Sequence, residues 1–137
     1  MRKNYCLFVG LALATCVFLV NMKAATFTIG ASGQDFTTIQ AAHDDAGVAD
    51  GDTLLIFDAI HTEGDISLNK SLVIVGLPGK SVIQADADSG VAGNRVMHIG
   101  TAARVILVNL TIRHAVDASG GGMLNEGVLI MNNCTVE

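Results

Sequence analysis

Two stretches of the chain, VILVNLTI at residues 105–112 and LIMNNCTV at residues 129–136, align without a gap at an offset of 24 residues. Both run through four strand-type residues, an asparagine and three more strand-type residues, so Asn109 falls on Asn133 and Thr111 on Thr135. An earlier stretch, LVIVG at residues 72–76, places Gly76 where the later copies place Asn. Gly and Asn are the residues that tolerate a left-handed backbone. The pattern therefore predicts a strand, a corner with positive φ and another strand, repeated. A period in the twenties built on strands leaves one economical way to bury a core. A single repeat has no core of its own, so neighbours must stack as a β-solenoid.

The rest of the chain has the same texture. TLLIF (residues 53–57), DISL (65–68), SLVIV (71–75), SVI (81–83), VMHI (96–99), RVILV (104–108), LTI (110–112) and GVLIM (127–131) are short apolar runs bounded by Gly, Asn, Asp or Ser. In VMHI the phase stays open: either Met97 and Ile99 point inward, or Val96 and His98 do. ATFTIG at residues 25–30 alternates as a half-buried strand does. TTIQAAHDDAG at residues 37–47 predicts a short helix, with Thr37 and Gln40 as a capping box and Gly47 as its stop. Ile39, Ala42, His43 and Ala46 share one helical stripe. So short a helix must lie on something apolar. No second helix separates the strands, which argues against a doubly wound sheet.

The amino terminus has the form of an export signal. Arg2 and Lys3 precede the apolar run CLFVGLALATCVFLV at residues 6–20, and small residues follow for cleavage after Ala24 or Ala25. The run is shorter than the stretch of about 20 residues that spans a bilayer. LATC at residues 13–16 is a poor lipoprotein box, because Thr15 precedes the cysteine and the apolar run continues beyond it. The domain organisation is thus a signal peptide at residues 1–25 and a strand-rich segment at 26–137. Over that segment five bases (Lys70, Lys80, Arg95, Arg104, Arg113) face 13 acids, a net charge of −8. Such a balance disfavours nucleic acid and anionic membrane as partners. Cys134 alone remains beyond the signal, so the segment has no disulfide framework.

From Thr26 onward the chain resembles the right-handed parallel β-helix proteins of the pectin-lyase-like fold. The likeness is carried by DFTTIQAAHDDA (residues 35–46), ADGDTLLI (49–56), EGDISLNKSLVIVG (63–76) and GGGMLNEGVLIMNNCTV (120–136). The last is also similar to the short repeats of polymorphic outer-membrane proteins and related bacterial surface proteins. The resemblance implies an all-β, right-handed parallel β-helix entered through a capping strand and short α-helix. Each coil then has three strands, with Gly76, Asn109 and Asn133 at corners. It puts Val105 beneath Leu129 and Leu107 beneath Met131, each buried aliphatic side chain contributing roughly 1.5–3 kcal/mol. His43 departs from the family's phrasing, which has an aliphatic residue on the helix stripe. With no closing element after Val136, the expectation is an N-terminal portion of a longer protein, cut after about three coils.

Candidate chemistry is sparse. Asn109-Leu-Thr111 and Asn133-Cys-Thr135 match the glycosylation sequon, but their matched placement reads as a repeated corner. Cys134, at the position of Leu110, reads as a packed residue. His43 reads as a boundary residue of the cap, and His61 and His98 as packing or surface residues with no partners at metal-ligand spacing. Asp86 and Asp88, two apart in the excursion at residues 85–95, are the calcium candidates. In the family's polysaccharide lyases, acidic residues on this side of the tube bind calcium and an Arg or Lys abstracts the proton. Asp86, Asp88 and Asp117 with Arg95 or Arg113 would imitate that set. The expected function is a secreted or cell-surface scaffold, located at a bacterial outer membrane. It would bind extracellular glycans or surface proteins through long flat faces of repeated polar groups, without a catalytic residue or required cofactor. The alternative is a polysaccharide lyase or glycoside hydrolase with its active site in further coils.

Overall fold

The computed structural model describes residues 23–79, 81–91, 93–118 and 121–137. The signal reading at residues 1–22 lies outside them. The described chain is dominated by parallel β-structure with one short helix. No helix among the described residues is long and apolar enough to cross a membrane.

In chain order the elements are β1 (Thr26–Ile29), α1 (Ile39–Asp44), β2 (Thr53–Ile56), β3 (Ile60–Thr62), β4 (Ile66–Leu68), β5 (Val73–Gly76) and β6 (Ser81–Gln84). They continue with β7 (Met97–Ile99), β8 (Arg104–Val108), β9 (Leu110–Arg113), β10 (Met123–Asn125), β11 (Val128–Asn132) and β12 (Thr135–Val136). From β2 onward each strand pairs in parallel with the strand three places further along. The result is a five-stranded sheet (β1-β2-β5-β8-β11), a four-stranded sheet (β3-β6-β9-β12) and a three-stranded sheet (β4-β7-β10).

The expected register is observed. Val105 pairs with Leu129 and Leu107 with Met131, while Ile74 lies beside Leu107 on the other flank. The spacing is not constant, however: 33 residues separate Ser71 from Arg104, which its hydroxyl oxygen accepts from, against 24 between the paired asparagines. The longer step contains the excursion at residues 85–95. The inward positions of the three sheets converge on one core containing Ile29, Leu54, Ile56, Ile66, Leu68, Ile74, Ile83, Met97, Ile99, Val105, Leu107, Leu110 and Ile112. VMHI is settled by this: Met97 and Ile99 are buried, and His98 faces outward beside Ser67 and Leu124.

The corners differ in cause. Asn109 and Asn133 have φ of 56° and 53°, as the repeat predicts. Gly76 sits beside Asn109 in the stack but is not among the glycines of positive φ, which corrects the expectation of a left-handed corner there. Its reason is close approach, since a Cβ at Gly76 would collide with the Asn109 carbonyl oxygen and lie 2.9 Å from Leu110 Cδ2.

The cap also departs from its sequence reading. Thr38, not Thr37, is the N-cap of α1, its hydroxyl oxygen accepting from the Ala41 N–H at 3.1 Å. The helix stops at Asp44, so Ala46 is exposed and Val48 is buried instead. Gln40 does not fold back on the cap. It reaches across to β4, accepting the Ser67 N–H at 2.7 Å. The two free N–H groups of the first turn, on Ile39 and Gln40, are held by the Glu63 carboxylate at 2.7 and 2.8 Å.

Candidate functional site

The outward side chains of the five-stranded sheet form two columns. One runs Thr26, Thr53, Val73, Ile106, Ile130, and the other Thr28, Leu55, Val75, Val108, Asn132. Leu55, Val73, Val75, Ile106, Val108 and Ile130 are all partly exposed. Residues two apart on a strand share a face, so these six form one aliphatic surface across β2, β5, β8 and β11. Three strand spacings make it roughly 15 Å wide. On this sheet the outward groups are largely hydrocarbon rather than repeated polar groups. A shallow depression of about 220 Å³ borders it, lined by Gly51, Ser71, Leu72, Val73, Arg104 and Ile106. Another of about 200 Å³ lies between Phe57 and the turn at Leu77–Gly79.

Polar side chains lie on the outward side of each of the other two sheets. On the four-stranded sheet Arg113 Nε donates to Gln84 Oε1 at 3.0 Å, and Gln84 Nε2 donates to Thr62 Oγ1 at 3.0 Å. On the three-stranded sheet His98 Nε2 meets Glu126 Oε2 at 2.8 Å.

Two of the residues expected to imitate a lyase meet in an ion pair. Arg95 is paired with Asp117 at 3.1 Å, and Arg113 is committed to Gln84. Asp86 Oδ1 accepts the Asp88 N–H at 3.0 Å, a local turn that turns one carboxylate onto the backbone. Among the described residues no three His, Cys, Asp or Glu side chains are grouped to hold a metal ion. Cys134 packs partly against the core, its thiol donating to the Asn132 carbonyl at 3.3 Å.

His61 is the histidine the sequence reading placed least well. It is 4% exposed, on the inward side of β3, and both ring nitrogens have carboxylate partners: Asp58 Oδ2 at 3.2 Å and Glu63 Oε2 at 2.8 Å. Burial works to lower the imidazole pKa, but hydrogen bonds and charge from Glu63 and Asp58 outweigh it and raise the pKa above its ordinary value. A buried histidine between two acids resembles catalytic machinery. Here the same Glu63 carboxylate caps α1, so the cluster ties cap to sheet. His43 has a comparable job: Nε2 accepts the Asn69 N–H at 3.0 Å, which leaves Nδ1 to donate to Asp44 at 2.7 Å. Asp58 and Glu63 were not singled out from sequence, because their roles depend on residues brought together by folding.

Compared with known proteins, the chain matches no protein-family model, no curated protein and no solved structure. The parallel sheets are compatible with a parallel β-helix.

Proposed function

We propose that the chain winds as a right-handed parallel β-helix, is exported to the cell surface, and acts there as a binding scaffold. Its docking face is the outward side of the five-stranded sheet. The winding is supported by the return to the same sheet at every third strand, and export by the leader-like residues 1–25. The observation that carries the binding role is the aliphatic surface of Leu55, Val73, Val75, Ile106, Val108 and Ile130. A contiguous exposed apolar patch marks an interaction site. A patch on hydrogen-bonded strands loses little freedom when covered, so more of its burial energy appears as affinity. Hydrocarbon without hydroxyl partners suits a protein surface better than a glycan. The reading needs no cofactor.

The test is binding of the exported protein, immobilised, to solubilised surface proteins and to a glycan panel. Binding to a surface protein that Val75→Lys with Ile106→Lys abolishes, and Asp86→Asn with Asp88→Asn leaves intact, supports the proposal. Calcium-dependent release of unsaturated products from acidic polysaccharides would contradict it and favour a lyase.

A further inference from the structure

We propose that the exported chain begins at Ala25, and that Asp52 is the built seat for its α-ammonium group. The inference rests on the export reading above and specifies the processing site. Asp52 is 5% exposed, yet none of the ion pairs among the described residues includes it. Its Oδ2 accepts the Ala49 N–H at 2.8 Å, and its Oδ1 accepts the Ala25 N–H at 2.7 Å. A buried carboxylate held by neutral donors alone is costly, and a counter-charge removes that cost. Cleavage of the Ala24–Ala25 bond supplies the counter-charge at the atom already in place. Water adds to the Ala24 carbonyl carbon and the C–N bond breaks. The Ala25 nitrogen leaves as an amine, takes up a proton and becomes an ammonium facing Asp52. The hydrolysis is the work of a leader peptidase of the export route.

The alternative cut, after Ala25, fits less well on two independent counts. It removes the Ala25 carbonyl, which accepts the Thr53 N–H at 2.8 Å and opens the β1–β2 pairing. It also sets charged Lys23 third from the cut, where leader cleavage favours small residues, whereas the cut after Ala24 places uncharged Met22 there. Lys23 and Ala24 themselves are exposed.

The experiment is N-terminal sequencing with intact mass of protein recovered from the exported fraction of bacteria expressing all 137 residues. The expected sequence starts Ala-Thr-Phe-Thr. A start at Thr26 or at any other internal residue overturns the site while leaving export intact; a chain that keeps Met1 overturns both. The seat is tested by acylating the α-amine with an amine-reactive ester at neutral pH. Labelling several-fold slower in the native protein than in Asp52→Asn, or than in urea-unfolded protein, is expected. Equal rates in native and unfolded protein would remove Asp52 from the account.

Discussion

Asn133 Nδ2 donates to Asn109 Oδ1 at 2.8 Å, joining two residues 24 apart that occupy matched corners of neighbouring strand pairs. Both have a left-handed backbone, so each asparagine satisfies a conformational need and a hydrogen bond at once. Asn109→Gly should lose the bond alone, about 1 kcal/mol. Asn109→Ala should lose the bond and place a Cβ at φ 56°, for a total of about 2–3 kcal/mol. Urea denaturation of the two variants checks the order; equal losses would show that the corner conformation does not matter.

Gly76 is a steric requirement rather than a conformational one. A Cβ there meets the Asn109 carbonyl, Leu110 Cδ2 at 2.9 Å and Ser81 Cβ at 3.1 Å. Gly76→Ala should therefore destabilise by about 1–3 kcal/mol, the usual range for overpacking. Gly76→Asn, which copies the later corners, should be worse rather than neutral.

The His61 cluster predicts a pH dependence of definite sign. Burial opposes protonation, but Glu63 and Asp58 prevail and the folded-state pKa is raised. The stabilisation is therefore complete below the unfolded value of about 6.5 and is lost as pH climbs through the higher folded value. Thermal melting followed upward from about pH 6 should show this decline in the native protein and a smaller one in His61→Gln. An equal decline in the two would place the titration elsewhere.

Removing the far end of the same cluster should free the cap. Glu63→Gln keeps one acceptor for the N–H groups of Ile39 and Gln40 but loses the charge that pairs with His61. Asp58 still faces the other ring nitrogen of His61, so the loss should be smaller than the about 3–5 kcal/mol of a buried charge left wholly unpaired. Hydrogen exchange should accelerate first in α1, with the β8–β11 pairing protected; uniform acceleration would mean that the cap is not a separate unit.

The strand stack was legible in the sequence because its corners are chemically marked. Aligning Asn109 with Asn133 brings Val105 to Leu129 and Leu107 to Met131, the register found. β3 was not legible. Its inward residue is His61 and its outward residues are Ile60, 54% exposed, and Thr62, so the usual pattern of apolar inside and polar outside is reversed at the apolar position. The aliphatic face was hidden for a related reason. A strand apolar on both sides reads as a continuous run, as RVILV does, whether or not anything covers its outer side. The acids were hardest: Glu63 caps a helix 24 residues upstream, and only the fold brings it there.

The central claim is that the chain stacks strand on strand in the register of its repeat. Ile106 and Ile130 are Cα partners on the outward face, whereas Ile106 and Met131 are one residue out of register. Adjacent strands lie about 4.8 Å apart, within the Cα separation a disulfide spans. In a Cys134→Ser background, Ile106→Cys with Ile130→Cys should oxidise to an intramolecular disulfide in the native protein. Ile106→Cys with Met131→Cys should not; equal or preferential closure of that slipped pair would contradict the register and, with it, the fold described here.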